Sequence, residues 1–291
     1  MPRVPASELR PRGRRHSIER DRRAVRHHYD VSNEYFALFL DESMTYSCAF
    51  FSRAGENATL EEAQEAKLAL TAQKLQLEPG QRVLDVGCGW GSFTRHVAAA
   101  HGVSVVGITL SERQAEVARR RAREEGLADL IDIRVMDWRE LQGETFDAIA
   151  SIGMVEHVGP ANIDAYAERL AELLRPGGRL LNHGIAALGD RDPYGGPFSE
   201  RFVFPDGAPL HVSRIISALE RTGLELLHVE GFREDYAETL RHWARRFDEH
   251  LDEAERLGGS ERTRVWRLYL RASRRGFETR FISIYQVLAA K

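Results

Sequence analysis

Three glycines, Gly87, Gly89 and Gly91, follow Asp85 at the end of the apolar run Arg82-Val83-Leu84-Asp85-Val86 and open a stretch that reads as a helix. Glycines at such a junction permit a tight turn and let a ligand approach the backbone closely. The nicotinamide fingerprint requires Gly-x-Gly-x-x-Gly, whereas the spacing here is Gly-x-Gly-x-Gly, so a dinucleotide site is not matched. Asp137-Trp138 sits past a later apolar run, where the indole is placed either to stack on a flat ligand or to serve as a partly buried aromatic. The two cysteines, Cys48 and Cys88, are too few for a disulfide framework or a zinc site.

These residues need a scaffold, and the chain supplies alternating strand and helix patterns. Strands are predicted at 82–86, 103–108, 130–135, 146–152 and 179–185, with helices at 92–100, 111–125 and 162–174 between them. Such spacing means βαβ units and a parallel sheet, with ligands at the carboxyl ends of the strands. Upstream, Thr59-Leu60-Glu61-Glu62 carries a capping box that starts a helix. The aromatic stretch 18–51 has no simple period and reads as short helices packed over another part of the molecule. Residues 187–211, without a clear period, read as a loop or lid. A helix at 212–222, a strand at 224–231, helices at 234–255 and 260–275, and a strand or strand pair at 277–288 follow. One domain is expected over 19–291: a helical cap at 19–78, a cofactor-binding core at 79–186, and a lid with the rest of the sheet at 187–291.

Net charge is -3, but residues 1–29 hold nine arginines and three acids, so the remainder carries -9. A basic leader, read as disordered over 1–18, on an acidic body suits an anionic lipid surface. Nucleic acid is not expected, because the body lacks a basic face with interleaved aromatics. No apolar run reaches bilayer-spanning length and no apolar stretch follows the basic N-terminus. The expected location is the cytoplasm, peripheral at the inner membrane surface. Nothing in the sequence sets an oligomeric state.

The Asp85-to-Gly91 turn resembles motif I of S-adenosylmethionine-dependent methyltransferases of the class I Rossmann-like fold. Their cofactor has no pyrophosphate, and its cationic methionine end suits an acidic neighbourhood. The resemblance implies a mostly parallel seven-stranded sheet with helices on both faces. It implies cofactor contacts at Tyr46, Ser47, Asp85, Gly87, Gly89, Gly91, Thr109, Leu110, Ser111, Gln114, Asp137 and Trp138. Many class I enzymes carry an acid where this chain has Thr109, so Thr109 and Gln114 would share the ribose.

Further blocks are more specific: 28–33, Met44 to Phe51 with Tyr46-Ser47-Cys48-Ala49, Ser151 to His157 with Glu156-His157, Phe202 to Pro205, and Tyr236 to Trp243. Together they resemble the cyclopropane-fatty-acyl-phospholipid and cyclopropane mycolic acid synthases. That family transfers a methyl group to a carbon–carbon double bond, commonly in an acyl chain, and is thought to use bound bicarbonate as base. By resemblance its ligands would be Cys48, Glu156, His183, the backbone of Ile185, and Tyr236. Tyr29, Phe36 and Phe204 are candidates to steady a carbocation through their ring faces. Two features depart from the pattern. Ser273 stands where a cysteine is common, and 187–200 looks shorter than the mycolic acid enzymes' lid. Cyclopropanation of unsaturated phospholipid acyl chains is the expected activity; C- or N-methylation of a soluble small molecule without ring closure is the alternative.

Overall fold

The structure, a computed structural model, describes residues 13–29, 32–189 and 196–291. Seven strands make one sheet: β1 (Arg82–Val86), β2 (Ser104–Thr109), β3 (Ile131–Val135), β4 (Phe146–Ile152), β5 (Leu174–Ala187), β6 (Glu225–Gly231) and β7 (Ile282–Ala290). Their order is β3-β2-β1-β4-β5-β7-β6, and only β7 runs antiparallel to its neighbours. This is the expected class I methyltransferase sheet. The described helices are α1 (Ile18–Tyr29), α2 (Asn33–Ala37), α3 (Phe51–Ala54), α4 (Leu60–Leu75), α5 (Ser92–His101), α6 (Glu112–Glu124), α7 (Ile163–Leu173), α8 (Pro197–Phe202), α9 (Val212–Arg221), α10 (Arg233–Glu249) and α11 (Leu251–Glu278).

Alternation along β1 explains the layers. Leu84 and Val86 pack towards Ile163, Tyr166 and Leu170 of α7 and Ile215 and Leu219 of α9. Val83 points the other way, into a cluster with Leu68 and Leu75 of α4 and Phe93 and Val97 of α5. Both faces are covered, so the parallel strands read as continuous apolar runs. Because β1 lies between β2 and β4, successive crossovers leave in opposite directions there and open a crevice beyond the strand ends.

The caps anticipated in the sequence are present. Thr59 Oγ1 accepts from Glu62 N at 3.2 Å while Glu62 Oε2 accepts from Thr59 N at 2.7 Å. Ser111 Oγ accepts from Gln114 N at 3.3 Å and starts α6. The aromatic N-terminal stretch covers α10 and α11: Tyr35, Phe36, Phe39 and Phe50 form one cluster with Trp243, Phe247, Trp266 and Phe277.

Two expectations near the C-terminus need correction. The helix drawn to residue 255 stops at Glu249, and the next runs from Leu251 to Glu278 with a kink at Gly259 (φ 78°, ψ 157°). Gly258 lies against Tyr35, where a Cβ would come within 2.7 Å of the ring. The Gly-Gly pair therefore lets the helix pass that ring and bend. Phe277, expected in a strand, is the last turn of α11, buried with its ring 4.6 Å from that of Tyr236. Strand β7 begins at Ile282.

The first twelve residues of the leader read as disordered lie outside the described residues, as do 190–195 of the lid. From Gly13 the chain is held to the body. Arg20 forks onto Asp206 (2.6 Å from Nη2 to Oδ1), Arg15 pairs with Glu200, and His16 Nδ1 donates to the His157 carbonyl at 3.1 Å. Among the described residues, no helix is long and apolar enough to cross a membrane.

Candidate active site

Three cavities meet beyond the carboxyl ends of β1 and β4. The first is lined by Val86, Gly87, Gly89, Thr109, Leu110, Gln114, Asp137, Trp138, Met154 and His157, with Asp21 and Val25 of α1 across its mouth. The second takes in Tyr46, Ser47, Lys67, Asp85, Gly87, Gly89, Trp90 and Gln114. The third, about 300 Å³, is lined by Tyr46, Ser47, Glu156, His157, His183, Ile185, Phe204, Tyr236, Tyr269, Ser273 and Phe281, among others.

Gly153 borders all three. It follows β4 with φ 70°, and its N–H donates to the His183 carbonyl at 2.8 Å. A Cβ here would meet no atom within 4 Å, so it would project into the junction. The absence of a side chain keeps the cavities connected.

In the first cavity, Thr109 Oγ1 donates to Gln114 Oε1 at 2.8 Å, which leaves the Gln114 amide N–H groups to face a ligand hydroxyl. Trp138 is buried, edge-on to Tyr166 at 5.3 Å, and so is a fixed wall rather than a surface aromatic. Asp137 lines the same cavity, but its carboxylate is occupied by Arg139, with Oδ1 2.6 Å from Nε and Oδ2 2.6 Å from Nη2. Gly91 and Ser111 line none of the three. Gly91 lets α5 approach α6, since a Cβ would lie 3.0 Å from that of Ala118, and Ser111 caps α6. Their roles are to shape the turn and helix that carry the lining residues.

The second cavity holds a charge pair that the sequence reading missed in part. Asp85 is buried, accepts from Thr94 Oγ1 at 2.7 Å, and has its pKa pushed up to about 6 by burial. Lys67, on the inner face of α4, is 1% exposed, and burial lowers its pKa to about 8 despite Asp41 and Asp85 nearby. Lysine is almost never fully buried without a partner. Its position in the apolar stripe of α4, between Ala63 and Thr71, was the available signal. Together the two residues offer one cation and one anion to a zwitterion.

The floor of the third cavity holds Glu156 and His183. Glu156, in a single 3₁₀ turn after β4, accepts from Ile185 N at 2.6 Å through Oε1, while its buried Oε2 has no partner. Burial raises its pKa to about 7. His183 is wholly buried and stacked on Phe50; burial, then Lys67 and Lys74, lower its pKa to about 3, so it is neutral. Lys74 Nζ donates to Gln286 Oε1 at 2.6 Å, which turns the Gln286 amide nitrogen towards His183 Nδ1 at a long 3.5 Å. That orientation makes Nδ1 an acceptor and puts the proton on Nε2, a buried atom with no partner. An orphaned acceptor and an orphaned donor thus share one floor. They fit a small oxyanion that both gives and takes a hydrogen bond, as bicarbonate does. Tyr236 lines the same space.

Three expected contributors take other parts. The Cys48 side chain does not line the cavity. Its thiol is wholly buried, donates to the Ala49 and Phe232 carbonyls at 3.4 and 3.7 Å, and has its pKa raised by burial. The Ile185 N–H is taken by Glu156, so it orients that carboxylate instead of facing a ligand. Phe36 lies one layer back, its ring 5.4 Å from that of Tyr46. The Tyr29 side chain lies outside what the structure describes. Phe204 and Ser273 do line the cavity, and Phe204 meets Tyr269 edge-on at 5.6 Å.

Comparison with known proteins agrees with this geometry. The family described as mycolic acid cyclopropane synthetase matches residues 16–287. A probable fatty acid methyltransferase of Mycobacterium tuberculosis is 46% identical over 99% of this chain and 68% of its own length. The cyclopropane-fatty-acyl-phospholipid synthase of Escherichia coli K12 is 38% identical over 91% of this chain and 66% of its own length. The solved mycolic acid cyclopropane synthase CmaA1, complexed with SAH and CTAB, superposes with a TM-score of 0.87 at 31% identity, over 93% of this chain and 98% of that one.

Proposed function

The chain belongs to the mycolic acid cyclopropane synthetase family and is an S-adenosylmethionine-dependent methyltransferase, and on that premise we propose that it methylates a carbon–carbon double bond in the acyl chain of an unsaturated phospholipid and closes a cyclopropane ring. The observation that carries this reading is the third cavity. Its walls are largely aromatic and aliphatic, with Ser47, His157, Ser199 and Ser273 among them, its floor holds Glu156, His183 and Tyr236, and it joins the cofactor cavities at Gly153.

S-adenosylmethionine supplies an electrophilic methyl group when bound. Lys67 and Asp85 would hold the carboxylate and ammonium of its methionine end. The Thr109–Gln114 pair would face the ribose, and Trp138 the base. These anchors fix the approach line, which matters because an alkene is a weak nucleophile and reacts only when held in place. Gly153 leaves the passage open. Tyr46, Phe204, Tyr236 and Tyr269 line the cavity; they would exclude water and place electron-rich rings beside the positive charge that develops on the alkene carbons.

Glu156 and His183 would hold bicarbonate, which supplies the base that takes a proton from the new methyl carbon. Glu156, fixed by the Ile185 N–H, would accept from the oxyanion's hydroxyl, and His183 Nε2–H would donate to one of its other oxygens. With a pKa near 7, Glu156 exchanges that proton at little cost. The basic leader, and a peripheral place on the inner membrane surface, fit a lipid substrate.

The test uses purified protein, bicarbonate, trideuteromethyl S-adenosylmethionine and monounsaturated phospholipid vesicles, read by mass spectrometry. Product that keeps two deuteriums is expected. Product that keeps three means simple methyl transfer. No lipid product from protein that binds the cofactor overturns the lipid reading in favour of a soluble small molecule.

A further inference from the structure

We infer that the second half of α11, together with Phe281, is the face by which this protein docks on an anionic phospholipid bilayer, so that the mouth of the substrate cavity opens onto the membrane. This rests on the acyl-lipid reading of that cavity.

The cavity opens to the outside at a definable place. Ala272, Ser273 and Gly276 of α11 and Phe281 and Ile282 line it, and of these Ala272 and Phe281 are exposed. Four large hydrophobic residues are exposed among the described residues: Leu227 and Val229 on β6, Leu268 (54%) and Phe281 (56%). Phe281 lines the cavity, and Leu268 lies one helical turn before Ala272, which also lines it. At helical spacing, Arg264, Leu268, Arg271, Ala272 and Arg275 share one outward stripe of α11, and all five are exposed. Leu268 therefore projects from a row of arginines, with the apolar rim beside it. An apolar ridge with basic flanks is the pattern of an interfacial helix, whose arginine stems lie along the acyl boundary while their heads reach the phosphates.

Charge supports one partner. Residues 260–281 hold seven arginines against two glutamates, in a chain whose net charge is -3. Local acids do not cancel this. Asp248 is shared by Arg267 and Arg271, and Glu278 by Arg274 and Arg275. Arg280, next to Phe281, is also exposed. An acidic body with a basic rim at the cavity mouth orients that rim towards a negative surface. Such docking also removes a physical obstacle. A long acyl chain would not have to cross water to reach Glu156 and His183. The leader arginines are a separate matter, since Arg15 and Arg20 are already paired with Glu200 and Asp206.

The test is sedimentation of the full chain with vesicles of equal parts phosphatidylglycerol and phosphatidylcholine, and with phosphatidylcholine alone. Wild type is expected to pellet with the anionic vesicles and not with the neutral ones. The variant Leu268→Ser/Arg271→Glu/Arg275→Glu is expected to lose vesicle partition by more than roughly tenfold, because each charge near the surface contributes measurably to attachment. Its S-adenosylhomocysteine affinity should stay within error of wild type and its melting temperature within roughly 5 °C, the scale of losing two exposed ion pairs with Asp248 and Glu278, which excludes misfolding. A second full-length variant, Arg3→Gln/Arg10→Gln/Arg12→Gln, is expected to keep most of the partition. Wild-type partition by the α11 variant, loss only in the leader variant, or indifference of wild type to anionic vesicles overturns the proposal; the last would turn attention to an acidic protein that delivers the acyl chain. The readout needs no turnover, so docking can fail while lipid methylation stands, and the reverse.

Discussion

Replacing Lys67 by methionine separates a residue that binds the cofactor from one that holds the fold. The side chain keeps its length and loses its charge. A lysine held near pKa 8 instead of 10.5 carries about 3 kcal/mol of penalty against its charged form. Removing the charge should therefore leave the cofactor-free protein as stable as wild type or more so, less the weaker attraction that Asp85 loses while keeping its hydrogen bond from Thr94. Cofactor binding should move the other way. A carboxylate against a buried ammonium at about 4 Å attracts by about 4 kcal/mol at an effective dielectric of 20, and the net value of a charged hydrogen bond is about 1.5–3 kcal/mol. The dissociation constant for S-adenosylhomocysteine should rise roughly ten- to a hundredfold. The pH dependence has a definite sign. The folded pKa lies below the unfolded one, so the unfolded chain binds more protons between pH 8 and 10.5, and Lys67 destabilises less as pH rises through that window. Any stability advantage of the variant should shrink there, and wild-type cofactor affinity should fall as Lys67 loses its proton. Calorimetric titration and thermal melts read both quantities. A variant that binds the cofactor as tightly as wild type, or one that melts far lower while affinity per folded molecule is unchanged, refutes the assignment.

Glu156→Gln should leave S-adenosylhomocysteine affinity near normal and lower turnover by about 10²–10⁴-fold. Wild-type turnover should climb as pH rises through 7, where Glu156 ionises, and that limb should vanish in the variant. The same residue makes stability fall as pH rises from about 4.5 to about 7, because the folded state holds the proton longer; thermal melts of the two proteins across that range check it. Gly153→Ala puts a methyl group into the cavity junction at a positive φ, so turnover should drop at least about tenfold with a stability cost of about 1 kcal/mol. Cys48→Ala should keep turnover within about threefold of wild type and cost about 1 kcal/mol of stability, since the thiol packs away from the cavity; steady-state assays and melts decide it.

The sheet was legible in the sequence because its strands are short apolar runs bounded by turn residues, and Phe146–Ile152 was located to the residue. Caps were legible because they are local: Thr59 needs only Glu62, three residues on. The errors came where distant contacts decide. Nothing near residue 258 announces that Tyr35, more than two hundred positions earlier, forces a glycine there. The same limit applied to the site. Glu156 and His183 were picked out by residue type and resemblance, but whether each polar atom faces a ligand or a neighbour depends on pairing. That is why Ile185 and Asp137 turned out to be engaged already, by Glu156 and Arg139, and why the Cys48 thiol lies outside the cavity. Lys67 was passed over because a lysine in a helix ordinarily marks the wet face, whereas α4 buries it.

The distribution of charge along the three cavities has a chemical logic. Lys67 and Asp85 are confined to the second cavity, at the end that would take the cofactor's amino-acid group. Past Gly153, the groups nearest the expected double bond are aromatic rings, a neutral imidazole and a carboxyl poised near pH 7. A fixed cation there would oppose the charge that develops on carbon, whereas an oxyanion would favour it. A floor whose imidazole stays neutral avoids that penalty. On this account a permanent positive charge at the floor should be worse than a lost hydrogen bond. His183→Gln removes the ring but can still donate from a neutral group, whereas His183→Arg introduces a cation that burial does not discharge. Both should bind S-adenosylhomocysteine, and the arginine variant should be the slower by at least about tenfold, the scale on which buried charge alters a transition state. Equal rates in the two variants would show that neutrality at this position is irrelevant to the reaction.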